Sequence, residues 1–204
     1  MKTLIRILFI SLFLIVSLSY GQGITNSAHD FSNKGWNSAG EICQPCHTPH
    51  DAIDEPNAPL WNHTLAAATG YTPYSGYDMD ASVNQPDGSS KLCLSCHDGT
   101  VALDSFGGAS GSTNIGGNFI VGRDLSHEHP ISFIYNTALA TDDGELHDPS
   151  AISSGIGTTI DADMLEGGKM QCSSCHDVHD KLGNSHLLVK INDGSALCLT
   201  CHNK

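Results

Sequence analysis

Hydrophobic residues along this chain form one long apolar run near the N-terminus. The run extends from Ile7 to Leu18, follows two basic residues and precedes the small-residue stretch "SYG". This order is typical of an export signal, and the run is shorter than the roughly 20 residues that a membrane-spanning helix needs. We therefore predict a signal peptide at 1–21 that is cleaved before Gln22, with no membrane attachment afterwards. The alternative is a retained membrane anchor.

The rest of the chain, 22–204, shows neither long alternating strands nor long amphipathic helices. Segment 105–122, "SFGGASGSTNIGGNFIVG", is rich in Gly and Ser, as loops are. Aromatic residues make up only 6% of the chain, yet the 15% charged content does not indicate disorder. We predict mostly irregular loops with a few short helices and little or no sheet, around an interior that something other than side chains fills.

The charge balance excludes two classes of partner. The chain has 22 acidic against 9 basic residues and a formal net charge of −13. A surface this acidic repels phosphate backbones and anionic lipid headgroups. Nucleic acid and membrane surfaces are therefore not expected as partners.

All eight cysteines fall in four C-x-x-C-H motifs. This spacing is typical of c-type haem attachment, in which both thiols bind the porphyrin and the histidine binds its iron. Disulfides, zinc knuckles and a thioredoxin-like site are alternatives, but none requires the histidine, and chance would supply all four in roughly one sequence in 80,000. We predict four covalent c-type haems, which fill the interior. They are bound by motif one (Cys43, Cys46, His47), motif two (Cys93, Cys96, His97), motif three (Cys172, Cys175, His176) and motif four (Cys198, Cys201, His202).

The motifs alternate in type. Motifs one and three continue as C-x-x-C-H-x-x-H-D, whereas "DGSSKLCLSCH" and "DGSALCLTCH" contain motifs two and four. We therefore divide the mature domain, 22–204, into a haem-pair unit at 43–97, a glycine-rich covering segment at 98–171 and a second haem-pair unit at 172–202.

A histidine three residues after a haem ligand cannot bind the same iron, so His50 and His179 are predicted to bind a neighbouring haem. The alternative is that both are solvent-exposed or hydrogen-bonding histidines.

Spare histidines are numerous enough to fill every sixth coordination position. The chain has 12 histidines, more than four bis-histidine haems require, which favours saturated iron that carries electrons over open iron that binds substrate. His63 follows an apolar pair, and Pro130 makes the backbone at His129 extended and stiff. His29 lies near the predicted new N-terminus, from which it is hypothesised to reach another copy. His127, His147 and His186 are weaker candidates.

A calcium site at 78–80 or 141–145 is a weak suggestion, because neither spacing matches a standard loop.

Several phrases resemble one known family. "CQPCHTPHDA", "APLWNHT", "SKLCLSCHDGTVA", "HPISF", "MQCSSCHDVHD" and "GSALCLTCHNK" are similar to the OmcE-type extracellular tetrahaem c-type cytochromes, which polymerise into haem filaments in metal-respiring bacteria. The resemblance implies bis-histidine haems stacked in a continuous chain, little regular secondary structure and an axial histidine donated between subunits. It implies that the ligands are the four motif histidines and most of His29, His50, His63, His129 and His179.

The expected function is extracellular electron transfer by a secreted cytochrome that polymerises with itself and passes electrons to other redox proteins or extracellular acceptors, without enzymatic activity. The alternatives are a soluble periplasmic carrier that feeds a reductase and, less favoured, a multihaem reductase.

Overall fold

Irregular backbone makes up most of the molecule. The computed structural model describes residues 23–56 and 58–203. The predicted signal peptide lies outside these residues. Within them the α-helices are α1 (Gly88–His97), α2 (Thr137–Asp143), α3 (Ile160–Met164) and α4 (Cys198–Cys201). Short 3-10 turns occur at Gly117–Phe119, Cys172–Ser174, Ser185–Leu187 and Asp193–Ser195. The prediction of a few short helices in a largely irregular chain is confirmed.

Two short strands form the sheet within the described residues. Strand β1 (Phe133–Ile134) pairs antiparallel with β2 (Lys169–Met170), so that Phe133 lies opposite Met170. Both of those side chains point into an apolar cluster, whereas Ile134 is exposed. This alternation is that of a strand with one face buried. The sheet is therefore as small as the sequence predicted.

Side-chain caps start the helices of the middle segment. The Asn136 side chain accepts a hydrogen bond from Leu139 N (3.0 Å) at the start of α2, and Thr159 accepts one from Ala162 N (3.3 Å) at the start of α3. These bonds satisfy amide groups that have no partner inside a helix. At the end of α2, Gly144 takes the left-handed conformation (φ 73°) that glycine adopts without strain.

The apolar core consists of two small clusters. The larger lies around β1, β2, α2 and α3 and reaches motif four through Leu197 and Cys201. The smaller contains Tyr71, Leu94 and Leu125 beside α1. The segment interpreted as a glycine-rich cover, 98–171, therefore contributes both strands, two helices and most of the larger cluster. Each cluster adjoins a C-x-x-C-H motif, which places the apolar packing where the predicted porphyrins would attach.

No helix among residues 23–56 and 58–203 has the length and apolar character needed to cross a membrane.

Candidate metal centres

A single helical turn shapes each C-x-x-C-H motif. The histidine amide donates to the carbonyl of the first cysteine in motif one (His47 to Cys43, 2.8 Å), motif three (His176 to Cys172, 3.0 Å) and motif four (His202 to Cys198, 3.0 Å). Motif two ends α1, so its residues have the same helical arrangement. Residues three and four apart share one face of such a turn. Both thiols and the imidazole of each motif therefore lie on one side of the backbone.

Backbone carbonyls fix the orientation of three motif imidazoles. The Nδ1 atom of His47 donates to Pro59 O (2.9 Å), that of His97 to Phe119 O (2.8 Å) and that of His176 to His186 O (3.0 Å). A carbonyl oxygen only accepts, so Nδ1 carries the proton and Nε2 keeps its lone pair. Metal-binding histidines characteristically have this second hydrogen bond, which sets the tautomer and the ring direction.

Three pairs of imidazole rings bring a motif histidine together with a second histidine. The ring centres of His97 and His29 are 6.0 Å apart, those of His47 and His179 are 6.3 Å apart, and those of His202 and His129 are 6.4 Å apart. Each pair joins one motif histidine to one histidine outside the motifs.

This spacing matches that of two imidazoles bound to one metal ion. A metal–imidazole bond is about 2.0 Å long and the ring centre lies roughly 1.1 Å further out, so two imidazoles on opposite faces of one iron have centres about 6.3 Å apart. The rings of His47 and His179 are nearly parallel, with 12° between their planes.

His29 is held inside the same chain. Its ring is mostly buried, and its Nδ1 atom has no hydrogen-bond partner among the described residues. Burial, together with the nearby His97, His176 and His179, lowers the pKa of His29 to about 4. The ring is therefore neutral at neutral pH, which is the form that binds a metal. This position favours a ligand within the chain over the hypothesised reach of His29 into another copy.

The other histidines differ in what their rings present. His50 is exposed. His63 is buried with Nδ1 2.8 Å from Thr64 O and Nε2 3.0 Å from Ala102 O, so in this conformation neither nitrogen faces a metal. A ligand role for His63 stays a prediction and requires its ring to turn. Among the described residues His176 makes no ring contact with a second imidazole, although His29 lies close to it.

Comparison with known proteins identifies the second half of this arrangement. A family model described as a doubled CXXCH motif matches residues 165–204, which include motifs three and four. The match indicates a multihaem c-type cytochrome. A search of curated proteins found no match.

The donor set of the four motifs fits covalently bound haem. All eight cysteines are free thiols rather than disulfides. Each motif places its two thiols beside an imidazole. In motifs one to three a carbonyl accepts a hydrogen bond from Nδ1 and leaves Nε2 for the iron, and in motif four the His202 ring lies 6.4 Å from that of His129. Among the described residues no cluster of three or more His, Cys, Asp or Glu side chains has the arrangement of a metal site. The calcium suggestion at 78–80 and 141–145 therefore finds no support. The fit is to covalently bound c-type haem with its iron.

Thiols of successive motifs lie close together in the fold. Burial, together with the neighbouring Cys46, raises the pKa of Cys96 to about 12. The nearby Cys93 thiol lowers the pKa of Cys172 to about 7. Burial also raises the pKa of Cys175, with Cys198 as the next cause. These contacts join motif one to two, two to three, and three to four.

Buried polar groups hold motifs two and three against each other. Ser90 Oγ donates to Gln171 Oε1 (2.5 Å) and accepts from Cys172 N (2.9 Å), and Ser132 Oγ also donates to Gln171 Oε1 (3.0 Å). Satisfied buried networks of this kind fix a single arrangement. The packing of α1 against the turn at Cys172–Ser174 is therefore a rigid feature of the fold.

Some functional groups left no signal in the sequence. The carbonyls of Pro59, Phe119 and His186, which orient the motif imidazoles, belong to residues of three unrelated types. Backbone oxygen is present at every position, so only the fold selects these three. Trp61, whose ring lies edge-on to His47 at 6.2 Å, stands out in the sequence only as an apolar neighbour of His63.

Proposed function

We propose that the protein is a bis-histidine tetrahaem cytochrome that transfers electrons. The observation that carries the proposal is the set of three imidazole pairs at the spacing of two ligands on one iron, each including a C-x-x-C-H histidine. Iron with two imidazole ligands exchanges electrons without an open position for substrate. The chain's part is to hold each imidazole at a fixed distance and in a fixed tautomer.

The spatial order of the four motifs supports electron transfer rather than storage at isolated sites. Cys46 lies near Cys96, Cys93 contacts Cys172, and Cys175 lies near Cys198. The motifs therefore follow one another in space in their order along the chain, with motifs one and four as the ends. A linear series with two ends suits a protein that accepts charge at one side and delivers it at the other.

Mass spectrometry of the exported protein tests the haem content. We expect four covalent haem additions on a chain that begins at Gln22, because all four motifs have the same attachment geometry. The double substitution Cys198→Ser/Cys201→Ser is expected to remove one addition and leave three. A wild-type mass with fewer than four additions would contradict the tetrahaem assignment. A spectrum that includes high-spin iron in the complete assembly would favour the reductase alternative.

We further propose that copies of the chain join through His50 of one copy and motif three of the next. The two double-histidine strings are equivalent in sequence, and in the second string His179 faces His47 of motif one. The reciprocal contact would place His50 opposite His176, but His50 points to solvent in its own chain. A second copy that presents its His50 to motif three would give His176 its second ligand and produce a secreted extracellular filament, as in the family that the sequence resembles.

Substitution of His50 tests this junction. We expect His50→Ala to give monomers with four attached haems, one of them high-spin, whereas wild-type protein forms polymers visible by electron microscopy and size exclusion. His127→Ala is the control, because His127 is also exposed. If wild-type holoprotein elutes as a monomer with four low-spin haems, the periplasmic-carrier alternative is correct instead.

A further inference from the structure

A buried indole N–H near motif one has no acceptor. Trp61 Nε1 is shielded from solvent and lacks a hydrogen-bond partner among the described residues. Leaving such a donor unpaired is unfavourable, and nearly all buried donors in folded proteins are paired. The acceptor must therefore come from outside the described residues.

The backbone around Trp61 is fixed to motif one. Thr48 N donates to Leu60 O (2.9 Å) and Asn62 N donates to Cys46 O (2.9 Å), on either side of the tryptophan. The indole lies perpendicular to the His47 ring, at 89° and 6.2 Å between centres. His47 in turn faces His179 at iron-binding spacing. The Trp61 ring is thus fixed beside one of the two imidazoles that would bind the first iron.

Positive charge is scarce in this protein. Four haems bring eight propionate carboxylates to a chain that already has 22 acidic residues. Among the described basic side chains, Lys91 is paired with Glu55, Arg123 with Asp98 and Lys169 with Asp87. Lys190 Nζ donates to Ser154 O and Thr200 Oγ1. Lys34 and Lys181 are the two other described basic residues, and two cations cannot match eight propionates, so neutral N–H donors are needed as well.

We propose that the Trp61 indole N–H donates a hydrogen bond to a propionate of the haem bound by Cys43, Cys46 and His47, and thereby raises the potential of that haem. The inference rests on the proposed function, because it requires haem at motif one. An N–H donor stabilises the ionised carboxylate and offsets part of its negative charge. Negative charge near iron stabilises the oxidised state, so offsetting it favours reduction.

The test substitutes Trp61→Phe, which keeps an aromatic ring and removes the donor. Midpoint potentials are measured across a pH series, and the motif-one component is identified by its loss in Cys43→Ser/Cys46→Ser. We expect that component to fall in potential at neutral and alkaline pH and to converge with wild type in acid, where the propionate is protonated. Without the donor the propionate pKa rises, so the pH-dependent step moves to higher pH.

Trp36→Phe is the matched control, because Trp36 is the other tryptophan and packs against Phe31 and Phe106 rather than His47. The proposal is overturned if Trp61→Phe leaves the potentials unchanged at every pH, which is the result if only a water molecule pairs with the indole. It is also overturned if Trp36→Phe produces the same shift. Mass spectrometry separates these outcomes from failure of the proposed function, which would appear as a missing haem on motif one in wild-type protein.

Discussion

Replacing His179 with alanine is expected to convert one of the four haems, the one on motif one, from low-spin to high-spin iron. His179 supplies the imidazole that faces His47 at 6.3 Å, and no other ring in the described chain occupies that position. Loss of the sixth ligand opens the iron, and added imidazole should restore the low-spin spectrum. Electron paramagnetic resonance and visible spectra of the purified holoprotein measure the high-spin fraction.

The same substitution in two backgrounds tests which motif His179 serves. In Cys43→Ser/Cys46→Ser, which lacks haem at motif one, His179→Ala should add no high-spin iron. In Cys172→Ser/Cys175→Ser it should add one high-spin centre as before. His186→Ala is the control, because the His186 ring is hydrogen-bonded to Ser185 while its backbone oxygen orients His176. An entirely low-spin His179→Ala protein would exclude the pairing with His47.

The haem-attachment motifs are predictable from the sequence because the spacing of their residues is local. Cys43 and His47 are four residues apart, and one helical turn is enough to place them on one face, whatever the rest of the fold does. The stiff backbone before Pro130 is likewise a local feature, and His129 does face His202. Local sequence patterns of five or six residues are thus sufficient to predict the attachment cysteines and the first histidine ligand of each centre.

The pairing of ligands was not predictable, because it depends on contacts between distant segments. His179 faces His47, which lies more than 130 residues earlier in the chain. Neither histidine lies in a continuous helix. The helical spacing from which we predicted that His176 and His179 bind different irons therefore does not describe this region. The sequence alone predicts a loose arm at His29. Instead Phe31, Trp36 and Phe106 form a run of aromatic contacts that secures the segment.

Close backbone approach also secures that N-terminal segment. A side-chain carbon at Gly23 would lie 2.3 Å from His179 O, so only glycine fits there. The segment that carries His29 therefore packs directly on the turn that carries His179. In a sequence with many loop glycines, nothing marks the ones that are required by close backbone contacts. Gly23 in particular lies next to the predicted cleavage site, where no such contact is expected.

A buried ion pair beside motif two is expected to carry the largest stability effect. The Asp98 carboxylate is fully buried directly after His97; it accepts from Arg123 Nη1 (2.9 Å) and Tyr71 OH (2.7 Å), and Arg123 also lies 4.0 Å over the Tyr71 ring. Burial acts to raise the pKa of Asp98, but the hydrogen bonds from Tyr71 and Thr100 and the charge of Arg123 outweigh it, so the pKa is lowered. The folded state thus depends on the ionised form.

Asp98→Asn keeps the shape of the side chain and leaves Arg123 without its counter-charge. We expect the free energy of unfolding of the holoprotein to fall by about 2–4 kcal/mol, less than for a wholly buried pair because the Arg123 side chain is 25% exposed. Guanidinium unfolding followed by Soret absorbance measures the change. Asp124→Asn is the control, since Asp124 is exposed and accepts only from Ser126, and its effect should stay within about 0.5 kcal/mol.

The pH dependence separates loss of charge from loss of packing. Because the pKa of Asp98 is lower in the folded protein, its contribution is fully present above the unfolded pKa of about 4 and is lost as the pH falls through the lower folded value. Wild type and Asp98→Asn should therefore differ most at neutral pH and converge in acid. A difference that is constant from neutral to acidic pH would show that the substitution disturbs packing alone and that the ion pair contributes nothing.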